Sequence, residues 1–88
     1  MVYAVTYDLN ASGQNYSGLY KKIESLGQTN HALQNLWLLS TNQSADYIRD
    51  QIRSVVDNND FVFVMQLYRG SYSAWMPVSA HDWLEERL

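Results

Sequence analysis

Apolar and other residues alternate from Val2 to Leu9, with Tyr3, Val5, Tyr7 and Leu9 on one side of an extended chain and Val2, Ala4, Thr6 and Asp8 on the other. This period of two predicts a strand that runs into an acid. The polar stretch Asn10 to Asn15 reads as a loop, after which Tyr16, Leu19, Tyr20, Ile23 and Leu26 recur at helical spacing and Gly27 supplies a C-terminal stop. The apolar run Ala32 to Ser40, centred on Trp37, predicts a second strand.

Ser44 stands where a helix N-cap belongs, Asp46 falls in the favourable first turn, and Ala45, Ile48, Ile52, Val55 and Val56 form an amphipathic stripe. The opposite face carries Asp46, Arg49, Asp50 and Arg53, mixed charges that suit a solvated surface. Asp57 to Asp60 reads as a turn into a third strand, Phe61 to Tyr68, in which Phe61, Phe63, Met65 and Leu67 oppose Val62, Val64, Gln66 and Tyr68. Arg69-Gly70-Ser71 then predicts a hairpin into a short fourth strand, Tyr72 to Trp75, closed by Pro77. Ser79 has the form of an N-cap with Asp82 three residues on, opening a short last helix through Trp83, Leu84 and Arg87.

The expected order is strand, helix, strand, helix, strand, strand, with a short C-terminal helix. Right-handed crossovers then give a ferredoxin-like α/β (α+β) domain, an antiparallel sheet with its main helices on one face. The third strand is apolar on both sides, which a sheet covered on one face does not need. Either a second copy of the chain accounts for the far face, packed sheet to sheet or edge to edge in a two-fold homodimer, or the C-terminal helix folds across it.

A length of 88 residues makes residues 1–88 a single domain with a small core, which adds weight to burial by self-association. There is no cysteine to build a disulfide or a thiolate metal site. The start has neither a basic leader nor a long apolar run, so the expectation is a cytoplasmic protein with no membrane partner. Six Lys and Arg against nine Asp and Glu leave a net charge of -3, with the basic residues scattered, which counts against long-range attraction to nucleic acid.

Gly-rich phosphate loops, paired histidines at metal spacing and nucleophile triads are absent from the sequence. His31 and His81 are the only imidazoles, at expected loop and helix-start positions, and read as surface or structural groups. The aromatic residues, among them Tyr3, Tyr7, Trp37 and Tyr68, fall mostly on strands where packing accounts for them. Asp8 is the remaining candidate. A carboxylate at the end of a first strand can hold a divalent ion, with a second Asp8 from a partner copy and water completing the shell, or it can cap the loop that follows.

The opening Val2-Tyr3-Ala4-Val5-Thr6-Tyr7-Asp8-Leu9, an amphipathic helix, and then Gln34-Asn35-Leu36-Trp37-Leu38 resemble the small CRISPR-associated Cas-two proteins, with virulence-associated protein D and above all the SinR-like proteins. That resemblance implies a ferredoxin-like homodimer. It further implies Asp8 as metal ligand and catalytic residue of a metal-dependent endonuclease, with Mg²⁺ or Mn²⁺ at the dimer interface, since some of those proteins are described as nucleases and others as non-catalytic DNA scaffolds. Where the CRISPR proteins carry a run of Arg and Lys into the first helix, this chain has Ser12-Gly13-Gln14-Asn15-Tyr16-Ser17, and Asn35 stands where they have a serine. Both differences remove phosphate-binding groups. Two functions of different class follow: a nuclease, on RNA before DNA, or a non-catalytic dimeric module with a protein partner in phage defence, a toxin–antitoxin pair or stress.

Overall fold

The computed structural model describes residues 1–10 and 16–88, so the expected loop at residues 11–15 lies outside the described residues. The elements run β1 (Val2–Asp8), α1 (Tyr16–Ser25), β2 (Gln28–Leu33), β3 (Leu36–Ser40), α2 (Ala45–Arg53), β4 (Phe61–Leu67) and α3 (Val78–Arg87). The four strands form one sheet in the order β2-β3-β1-β4, with every neighbouring pair antiparallel. This is the ferredoxin-like α+β arrangement expected from the hydrophobic pattern.

The allotment of strands differs from expectation in two places. The run Ala32 to Ser40, expected as one strand, spans the end of β2, a turn at Gln34 and Asn35, and β3; the two strands form a hairpin, with an irregularity in the pairing between Asn30 and Leu33. β2 begins with Gln28-Thr29-Asn30-His31, polar because it is an edge strand with only Ala32 buried, so its sequence lacks the alternation that marks a half-buried strand. The second difference is at Tyr72 to Trp75, which is not a strand. Gly70, at φ 84°, makes a tight turn closed by Ser71 N–H to Tyr68 O at 2.9 Å, and the following segment drops onto the sheet as an irregular strap, with Tyr72 and Met76 packed on apolar side chains.

Core packing follows the alternation within β1. Tyr3, Val5 and Tyr7 face α1 and α2 and pack with Leu19, Ile23, Trp37, Leu39, Ile48 and Ile52. Each fully buried isoleucine in this layer is worth about 1.5–3 kcal/mol of transfer free energy. Ser44 caps α2 as expected, its hydroxyl accepting from Tyr47 N–H at 3.1 Å, and Arg49 pairs with Asp46 and Asp50 on the exposed side. α3 starts at Val78 instead of after Ser79. Pro77 is its N-cap residue, and the Pro77 carbonyl accepts from Ala80 and His81 N–H.

The second sheet face resolves the choice between a covering helix and an uncovered surface into a half of each. Ala80 and Leu84 of α3 are buried against Val2, Ala32, Leu38 and Leu67, so the helices are not all on one face. A helix of ten residues is about 15 Å long and spans only part of a sheet. Phe61, Phe63 and Met65 of β4, at 65%, 60% and 48% relative exposure, are left outside its cover.

Candidate functional site

Asp8 ends β1 directly across from Phe61, and Thr6 lies across from Phe63. Because opposite residues of an antiparallel pair share a face, these four side chains emerge together on the half of the sheet that α3 leaves open. Residues Thr6 to Asp8 and Phe61 to Phe63 line a shallow depression of about 270 Å³ there. Its walls are mainly apolar, and Asp8 is the carboxylate at its rim.

Among the described residues the Asp8 carboxylate has no hydrogen-bond or ion-pair partner. The chain that leaves β1 is fastened by a different acid. Asp60, 7% exposed, accepts from Asn10 N–H and from Asp57 N–H, each at 2.9 Å, and the Asn10 side-chain amide donates to the Asn59 carbonyl. The residue that ties the first loop to the turn before β4 is therefore Asp60. Hydrophobic patterning places Asp60 in a polar turn and is silent on burial; the carboxylate goes inside because two backbone donors from separate segments converge on it.

No group of three or more His, Cys, Asp or Glu side chains able to hold a metal is found among the described residues. For a Mg²⁺ or Mn²⁺ ion, which takes near-octahedral oxygen coordination, Asp8 is the one carboxylate lining the depression among the described residues.

Both histidines have structural partners. His31 sits in β2, not in a loop, and its ring stacks on Trp37 with centroids 4.2 Å apart and planes 13° from parallel, while Nε2 lies 3.1 Å from the Gln34 carbonyl. Tyr20 meets both rings, and Tyr16 meets Tyr20. Beneath them Trp37 Nε1–H donates to the Tyr7 hydroxyl at 3.3 Å, which in turn donates to Gln34 O at 3.2 Å. Burial pushes the Tyr7 hydroxyl well above the ordinary phenol range, and the neighbouring Tyr20 hydroxyl adds to that. Burial also raises Tyr3, whose hydroxyl donates to Gln43 O at 2.7 Å. His81 accepts from the Met76 backbone N–H at 3.1 Å and so pins the strap to α3.

The aromatic cluster is thus packing joined by hydrogen bonds, with Tyr7 and Trp37 buried within it. Other aromatics stay outside the packing: Trp75 is 99% exposed on the strap, and Tyr68, expected on a strand where packing accounts for it, lies just past β4 and is 60% exposed. No helix among the described residues is long and apolar enough to cross a membrane. No family model matches the chain, and no solved structure matches it.

Proposed function

We propose that this chain works as a homodimeric, Cas-two-like interaction module that joins at β4, the strand bordering the uncovered half of its second sheet face, and presents the assembled dimer to a protein partner. The observation that carries the reading is the row Phe61, Phe63 and Met65, apolar and about half to two-thirds exposed along the last strand. Leaving such a row in water forfeits the transfer free energy of large side chains, and a second copy that sets the same row beside it recovers part of it. A net charge of -3 per chain favours a protein partner over a polyanion. Static light scattering across micromolar concentrations tests the dimer, with twice the 10.2 kDa chain mass expected and a monomer throughout sinking the reading.

A second reading, a metal-dependent endonuclease acting on RNA before DNA, is favoured by one feature. Asp8 is exposed and unpartnered among the described residues, at the rim of the depression. A bound Mg²⁺ or Mn²⁺ would supply activation of water toward a phosphodiester. Asp8 would be both its protein ligand and the catalytic residue. Cleavage that needs added metal and is lost in Asp8→Ala supports this reading; cleavage unchanged by the substitution ends it.

A further inference from the structure

We infer that two copies join by antiparallel pairing of β4 with β4 about a two-fold axis at Val64, making one continuous eight-stranded sheet. This rests on the dimer proposed above and specifies its geometry. β4 is terminal in the sheet order, so the backbone groups along its outer side have no strand partner among the described residues. Its sequence, FVFVMQL, has neither a charge nor a proline. Edge strands that stay unpaired are normally blunted by exactly such residues, by a bulge or by a covering element, and β4 pairs with β1 without a shift in register.

Symmetry and the pleat limit the register. Residues directly opposite one another share a face, so for the two open faces to lie on the same side, odd positions must meet odd positions. The axis then passes midway between the two copies of one residue. Val64 is the middle of the seven-residue strand, and only that centre pairs all seven positions. Phe63 then faces the partner's Met65, Phe61 faces the partner's Leu67, and Val64 faces the partner's Val64. Aromatic rings beside sulfur and aliphatic side chains are favourable cross-strand pairs. No like charges are opposed.

Arg69, just past β4, is held back over its own second face by Leu88 O at 2.9 Å and Glu85 at 3.8 Å, so its charge is turned toward α3 and away from the β4 edge. The two Asp8 carboxylates are sent to opposite ends of the paired strands, about 20 Å apart along them at ~3.4 Å per residue, so this geometry does not let them share an ion.

The absence of native cysteine makes the register directly readable. Opposed residues at the axis have Cα atoms about 4.5–5.5 Å apart, within disulfide reach, whereas the two Phe63 positions are diagonal at about 7–8 Å and outside it. Val64→Cys, mildly oxidised, is expected to run as a covalent dimer, and Phe63→Cys is not. If wild type is a dimer by light scattering but Val64→Cys fails to link while Phe63→Cys links, the copies are stacked face to face; the edge geometry falls and the dimer stands. If wild type is a monomer, both fall. Species larger than a dimer would also overturn the closed two-fold pairing.

Discussion

Asp60 and Asn10, fifty residues apart in the chain, are joined by a hydrogen bond of 2.9 Å from the Asn10 backbone N–H to the buried Asp60 carboxylate. The other carboxylate oxygen takes the Asp57 N–H, so one side chain closes its own turn and anchors the exit of β1. Hydrogen bonds to a charged group are worth about 1.5–3 kcal/mol each. Asp60→Ala is expected to lower unfolding stability by about 3 kcal/mol in urea titrations, with Asp60→Asn between it and wild type. A midpoint unchanged by Asp60→Ala would show that the anchor carries no stability.

Gly27 is required by space, not by backbone conformation. A Cβ at this position would overlap the Ser40 carbonyl oxygen at the end of β3, with Leu39 Cδ1 a further 3.3 Å contact. Gly27→Ala is expected to cost at least about 1–3 kcal/mol, the usual range for overpacking against rigid neighbours. Gly70→Ala meets nothing within 4 Å and pays only for its positive φ, about 1–2 kcal/mol. The ranking of the two variants by thermal unfolding is the measurement.

The buried Tyr7 hydroxyl gives the fold an alkaline limit. Its folded-state value is raised above the ordinary phenol value of about 10, so between the two values the unfolded chain releases a proton that the folded chain keeps. Stability from this group is fully present below about pH 10 and declines as pH rises beyond it. Denaturant midpoints measured at pH 8, 9, 10 and 11 should fall over the last interval. Tyr7→Phe should be less stable at pH 8, having lost the bonds to Trp37 and Gln34, but should show a shallower alkaline fall.

Phe63 separates association from folding. It is 60% exposed, so Phe63→Lys should change the unfolding free energy of the isolated chain by no more than about 0.5 kcal/mol, while placing a charge on the β4 row. Sedimentation is expected to show a shift from dimer to monomer with an unchanged circular dichroism spectrum. A dimer of wild-type affinity would remove Phe63 from the interface.

His81 fastens the strap over the α3 half of the sheet through the Met76 N–H. His81→Phe retains bulk and removes the acceptor, at an expected cost of about 1 kcal/mol. Faster amide exchange at Met76, with α3 amides little changed, is the local signature expected of a loosened strap.

Much of this architecture is legible along the chain. The alternation of Tyr3, Val5 and Tyr7, the helical stripe of Ile48 and Ile52 and the cap at Ser44 each depend on neighbours within a few residues, and each is found where the pattern places it. The polar start of β2 was not legible, because an edge strand buries too little to impose alternation. Nor was the fate of Tyr72 to Trp75, since β-rich residues serve equally as a strand or as an apolar strap, and what they meet across the sheet decides which.

The site divides in the same way. Asp8 at the end of a strand is a local fact, visible in the sequence. Its company is not: Phe61 and Phe63 come beside it through a pairing more than fifty residues long in sequence separation, and the depression they line exists only because α3 stops short of them. The sequence by itself determined β1, α1, α2 and β4 and which of their faces are apolar, because those follow from periodicity. Only the tertiary structure decided which apolar face is covered, which acid goes inside and which strand is left at the edge, because burial is set by what packs opposite, and that partner lies far along the chain.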